Sequence, residues 1–235
     1  MELRVARLAY EWRVAWCVGG DAIEDTLEVG VTAPVEPGPD FEVRRYASPR
    51  LTEELELRLS LADRPVVVRP DAPFVVLPRD EIVLYVSTPV WLVLWAAGAD
   101  AEIFEAPSFR PSDTWSGRDT TAGELCYSSR TRARIAPENI RWRPARAVTA
   151  VTLRNRSTEA LELERVSLPM PHLALHHDAD NRLWTDGVVA KSAGEGAEID
   201  VRIVAPPVDD PVRVAPARRG PDRKRIARVL GALFG

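Results

Sequence analysis

Acid, base and an aromatic ring gather within a dozen residues of RPSDTWSGRDTTAGEL, where Asp113, Trp115, Arg118, Asp119 and Glu124 stand close together in the chain. Two carboxylates can divide acid and base duties in a hydrolase, and a tryptophan face can stack a sugar or a base. Nothing in this spacing fixes such a geometry. The same letters fit an Ω-like loop whose Trp115 plugs a sheet and whose Ser112 and Asp113 cap local turns. The structural loop is the expectation, and a small-molecule or carbohydrate site on Trp115 is the alternative.

Just beyond lies a second charged feature. Counting by twos puts Arg130, Arg132 and Arg134 on one face of a strand, with Tyr127, Ser129 and Thr131 on the other, and Arg141, Arg143, Arg146, Arg154 and Arg156 continue the basic bias. Guanidinium groups in a row could bind a carboxylate or phosphate ligand through forked hydrogen bonds. They could equally pair across strands with Glu53, Glu54, Glu56, Glu162 or Glu164 on solvated faces. In HLALHHDADNRLWTDG, His172 and His176 would share a strand face, with Asp178, Asp180 and Asp186 close behind. His with carboxylate is a first-row metal set, yet DADN before RLWT reads as a hairpin turn, so no metal and no cofactor are expected. The chain carries no GxSxG, CxxC, HExxH or phosphate-binding glycine loop. The reading is therefore non-enzymatic, with no catalytic residue assigned.

Any such group needs a scaffold, and the period of the sequence supplies one. In EWRVAWCV, Trp12, Val14, Trp16 and Val18 share a face, and ELELRLSL repeats the alternation. Further strands are expected at Leu27–Thr32, Pro65–Arg69, Pro73–Leu77, Ala101–Ala106, Ala147–Asn155, Leu161–Leu168, His172–His176 and Glu198–Ala205. With 20 prolines as punctuation, these predict an all-β, antiparallel β-sandwich. Pro65, Pro73 and Pro89 stand at the starts of apolar runs, where a missing amide proton does least harm. Two lobes are expected, residues 1–107 and 108–216, with a distinct tail at 217–235, although the lobes could form one domain.

Composition bounds the rest. A chain of 235 residues, 46% apolar and 28% charged, can bury a core without metal or disulfide. Cys17 and Cys126 read as small buried thiols, and the start MELRVARLAYEW lacks a secretory pattern, so the expected address is cytoplasmic. The uncharged run Ile82–Ala99 approaches the length of a membrane helix. Its β-branched first half and Ser87-Thr88-Pro89 instead predict two buried strands joined at a bend.

The tail differs from the body. Pro221 fits a first helical position, and Ile226, Val229, Leu230, Leu233 and Phe234 follow at amphipathic helical spacing. Arg218, Arg219, Arg223, Lys224, Arg225 and Arg228 stand against Asp222, a net of +5, which leaves −9 for residues 1–216 of a chain at −4. Such a helix can lie on an anionic membrane surface, each basic residue contributing about 1 kcal/mol. It could instead dock on the acidic body. Nucleic acid is not an expected partner, because an acidic body repels phosphates.

The order of segments PVWLVL, SDTWSG, GELCY, LRNRS, LERVSLP and HLALHHDADNRLWTD resembles a prokaryotic, largely archaeal family of unknown function. Some of its members are encoded beside small mechanosensitive channels. The resemblance spans roughly residues 30 to 190, is most specific at GELCY and the LWT hairpin, and leaves the tail outside. It implies a shared fold and transfers no catalytic residue. The channel association implies an accessory role, consistent with a regulatory protein peripheral to the membrane whose partner is a membrane protein or an anionic surface.

Overall fold

The computed structural model describes residues 1–17, 30–31, 36–47, 54–70, 73–116, 123–130, 133–192 and 200–220. Among these, nineteen strands run along the chain, numbered β1 to β19 in order, and the helical turns are 3₁₀ turns of three residues each. The chain is all-β. It forms two compact units, each assembled from separated stretches. The first comprises Met1–Leu59, Trp91–Arg110 and Arg143–Ala145, and the second Ser60–Val90, Pro111–Trp142 and Arg146–Gly235.

In the first unit, β1 (Glu2–Arg7), β2 (Glu11–Cys17) and β3 (Glu42–Ala47) form one antiparallel sheet. A second sheet has the order β4 (Leu55–Ser60), β8 (Trp91–Ala96), β9 (Ala101–Pro107). The alternation in EWRVAWC decides what meets between them. Val14 and Trp16 point inward from β2 and join Leu94, Phe104 and Ala106 in one buried cluster, with Leu3 and Tyr46 beside it. Trp16 and Phe104 meet as tilted rings with centroids 4.7 Å apart. On the opposite face of β2, Glu11 is buried and takes Arg45 Nε at 2.8 Å. That hydrogen bond, with the Arg45 and Arg13 charges, holds the Glu11 carboxyl below its usual range against burial.

The second unit is built around β12 (Arg146–Asn155), which pairs antiparallel with β7 (Glu81–Pro89) and parallel with both β16 (Leu183–Thr185) and β17 (Gly187–Ser192). Strand β18 (Asp200–Val204) lies beyond β17, and β15 (Leu175–His177) with β19 (Val212–Ala215) beyond β16. A central strand with parallel partners is covered on both faces, which explains the near-continuous apolar run AVTAVTL. Ala147, Val148, Val151 and Leu153 are all buried, as are Leu84 and Val86 on β7 and Val188 on β17. A four-stranded sheet has the order β10 (Ser112–Ser116), β11 (Glu124–Arg130), β5 (Val66–Arg69), β14 (Val166–Leu168). Strands β6 (Phe74–Val76) and β13 (Leu161–Leu163) pair with each other.

Several expectations meet a different outcome. The antiparallel expectation meets exceptions among the described residues: β5 runs parallel to β11, and β12 runs parallel to β16 and β17. The segment Leu161–Leu168 is two strands in two sheets. His172 closes a 3₁₀ turn, Met170–His172, rather than sharing a strand with His176. The run Ile82–Ala99 does form two strands, β7 and β8, broken at Val90, and no helix among the described residues is long and apolar enough to cross a membrane. Of the strand expected at Leu27–Thr32 only residues 30 and 31 are described. The amphipathic helix expected in the tail falls on residues from 221 onward, outside the described residues, and Arg218 and Arg219 lie in a bend.

Candidate functional site

The polar stretch SDTWS is a strand and not a loop. It forms β10, the edge of its sheet, and pairs with β11 so that Trp115 lies opposite Leu125 and Asp113 opposite Tyr127. Trp115 does not plug the sheet. An edge strand leaves its side chains less covered, and Trp115 is 47% exposed beside Leu125 at 44%. Gly123 stands against the indole: a Cβ there would lie 2.6 Å from both the Ser116 carbonyl oxygen and Trp115 Cε2. Only a residue without a side chain allows the ring this position.

A set of polar partners lies next along β11. Arg64 Nη1 donates to Asp113 Oδ1 at 3.2 Å, and its guanidinium lies 5.3 Å from the centre of the Tyr127 ring. The Tyr127 hydroxyl donates to Asp63 Oδ1 at 2.9 Å. Burial, that hydrogen bond and the Asp63 charge push the Tyr127 phenol up to about 12, so it stays a proton donor at neutral pH. Asp63 and Arg64 carry no motif in LADRPV. They reach the site because β5 runs parallel to β11, a pairing that local sequence does not signal. Glu124 begins β11 opposite Ser116, while Arg118 and Asp119 lie outside the described residues. The hairpin thus carries two half-exposed apolar side chains beside an Arg64–Asp113 ion pair.

The thiol on the same hairpin is chemically quiet. Both cysteines are free. Cys126 is buried in β11, where burial first and the Glu124 charge second push its thiol up to about 11, leaving almost no thiolate at neutral pH. Under native conditions at pH 7.5, Cys126 should resist alkylation at least about a hundredfold more than in denaturant. Mass spectrometry of the labelled peptides checks this, and equal labelling of Cys126 in both states would contradict its burial.

The three arginines after Tyr127 do not trace a continuous row among the described residues. Strand β11 ends at Arg130, opposite Arg69. Arg132 lies outside the described residues, and Arg134 forms an isolated bridge with Tyr85, its N–H donating to the Tyr85 carbonyl at 3.0 Å. Of the glutamates considered as partners, Glu56 lies on β4, which pairs β8, and Glu162 on β13, which pairs β6, while Glu53 lies outside the described residues.

In the histidine segment the hairpin turn does form, between β15 and β16. Asp178 organises it. Its Oδ1 accepts the Asp180 and Arg182 amides at 3.0 and 2.9 Å, and its Oδ2 takes the Trp184 indole N–H at 3.1 Å. Burial alone would raise this carboxyl, but these three donors and the Arg182 charge bring it below its usual range. Asp186 accepts the Ala174 amide through Oδ2 and contacts His176 Nε2 through Oδ1, both at 2.8 Å. Among the described residues no group of three or more His, Cys, Asp or Glu side chains is placed to hold a metal ion.

The root of the tail is fixed to the second unit. Arg218 Nε donates to the Leu61 carbonyl at 2.6 Å, and the Arg219 amide to the Pro171 carbonyl at 2.8 Å. The Arg219 guanidinium lies 3.4 Å from the Asp63 carbonyl, and the Gly220 carbonyl accepts from His172 Nδ1 at 2.7 Å. Arg218 and Arg219 thus hold the chain where it leaves the sheet. Arg223, Lys224, Arg225, Ile226, Arg228, Leu230 and Phe234 lie outside the described residues.

Comparison with known proteins gives a family and no function. No curated protein matches the chain. No solved structure matches it either. The family described as "Protein of unknown function (DUF432)" matches residues 2–233, well beyond the span of 30 to 190 suggested by the motifs and including most of the tail. A match over nearly the whole length, both units and the tail together, makes this chain a member of the DUF432 family.

Proposed function

We propose that this protein is a non-enzymatic binding or regulatory accessory protein that works at a membrane surface through its basic tail. The observation that carries the reading is the fixed root. Bonds from Arg218 to Leu61 and from Arg219 to Pro171 set one exit point for a segment holding Arg223, Lys224, Arg225 and Arg228 against Asp222. A short basic segment with amphipathic spacing leaving the second unit at a fixed point suits attachment to anionic lipid. The partner implied by the resemblance, a small mechanosensitive channel, would be met on that surface. A second reading, a small-molecule or carbohydrate site, is favoured by the half-exposed indole of Trp115.

Vesicle co-sedimentation separates the two. Full-length protein should bind vesicles rich in phosphatidylserine, ignore neutral phosphatidylcholine vesicles, and release as salt rises. Reversing two charges with Arg223→Glu and Arg225→Glu should weaken binding at least about tenfold, since each basic residue contributes about 1 kcal/mol. Absence of binding by the full chain at low salt would remove the membrane reading and leave the Trp115 surface as the better account.

A further inference from the structure

An apolar row and an acidic row share one exposed face of the β6 and β13 pair in the second unit. Val75 and Leu77 flank the buried Val76 and are 57% and 60% exposed, with Pro73 and Pro78 exposed at the two ends. Opposite residues of an antiparallel pair point to the same side, so Glu162, across from Val75, brings its carboxylate beside that row. Glu159 and Glu164 are exposed before and after it in the chain, and among the described residues no ion pair reaches any of the three. We propose that this face docks a basic amphipathic helix of a partner protein. The apolar stripe of that helix covers Val75 and Leu77, and Lys or Arg residues on its flank meet Glu159, Glu162 and Glu164.

The spacings correspond. Val75 and Leu77 lie about 7 Å apart along the strand, close to the step of about 6 Å between side chains three or four apart on a helix. The acidic row runs one strand away, about 5 Å to the side, where the flank of such a helix lies. Asn155 holds both rows in place, because its Nδ2 group donates to the carbonyls of Val76 and Leu77 and to that of Glu159. A face set in advance loses little freedom on binding. The neighbouring bases Arg79, Arg156 and Arg165 stand outside the two rows, and Arg154 is paired with Glu81. Charge also selects the occupant. Two copies of this face would set glutamates against glutamates, and anionic lipid is repelled by the same carboxylates. The surface uses no residue of the tail, so the proposal goes beyond the membrane reading and does not rest on it.

The full-length protein is titrated with a synthetic peptide of about 18 residues, leucine and lysine patterned as one amphipathic helix. Amides of residues 74–77 and 159–164 should gain protection from hydrogen exchange when the peptide binds. Val75→Ser with Leu77→Ser should weaken binding about tenfold or more, and so should Glu162→Lys with Glu164→Lys. Glu54→Lys with Glu138→Lys makes the same change in net charge on exposed residues elsewhere, and should leave affinity within about twofold. An equal loss in that control overturns the proposal, because net charge alone would then account for binding. Absence of binding, or protection confined to other strands, overturns it as well. So does self-association abolished by Val75→Ser with Leu77→Ser, which would seat a second copy on the face. None of these outcomes depends on the vesicle result.

Discussion

Asn155→Asp destabilises the second unit by about 3 kcal/mol or more at neutral pH, although the two side chains have the same shape. Asn155 ends β12 at 1% exposure. Its Nδ2 group faces three carbonyl oxygens, those of Val76 and Leu77 at 3.1 Å and of Glu159 at 2.7 Å, while its Oδ1 accepts the Ser157 amide at 3.0 Å. An aspartate keeps the last bond and turns the other contacts into repulsion between a carboxylate and three carbonyls. Those carbonyls and burial raise the folded-state pKa of the new carboxyl above its unfolded value, so the native state holds the proton more tightly. The defect is therefore smallest at low pH and grows as pH rises through the ordinary carboxylate range and above. Urea unfolding across that range reads it. Asn155→Ala supplies the contrast, because its loss carries no such added pH dependence. An Asn155→Asp protein within 1 kcal/mol of wild type at neutral pH would show that the amide does not join β6 and the 157–159 turn to β12.

Phe104→Ala costs the first unit about 3–5 kcal/mol, the range for removing a buried aromatic ring. Phe104 is 2% exposed and its ring lies against Trp16, so deletion leaves a cavity between β2 and β9 in the cluster of Val14, Trp16, Leu94 and Ala106. Phe104→Leu keeps most of the apolar volume and should lose less than half as much. Exchange at the amides of β2 and β9 locates the damage, and denaturant unfolding gives its size. A loss below 1 kcal/mol for the alanine variant would mean that the two sheets are held together by something other than this cluster.

Both predictions use features that the sequence announces unequally. Phe104 sits at an inward position of an alternating strand, AEIFEAP, and alternation also marks β2, whereas in β4 the leucine expected inside at Leu57 is 54% exposed. Pro65 and Pro73 stand immediately before β5 and β6, where the missing amide proton predicts a strand entrance. The turn in DADNRLWT is legible because Asp and Asn favour tight turns, and Asn181 does take a left-handed φ of 59°. Asn155 is not legible: an Asn at the end of an apolar run reads as a solvated strand end, and only the approach of β6 and the 157–159 turn buries it. Trp115 misleads in the opposite direction, since a tryptophan in a polar stretch suggests a plug, whereas its strand lies at a sheet edge.

The sequence by itself determined that this protein is all-β, where most strands lie, and which side of β2 faces a core. It also determined the charge contrast between body and tail. These are local properties, because alternation and turn chemistry depend on neighbours within a few residues. Only the tertiary structure decided that each unit is assembled from separated stretches, that β5 runs parallel to β11 and β12 to β16 and β17, and that Asp63, Arg64, Asp113 and Tyr127 meet beside Trp115. A strand offers the same hydrogen-bonding groups to many partners, so the choice among them rests on long-range packing that no short stretch of sequence carries.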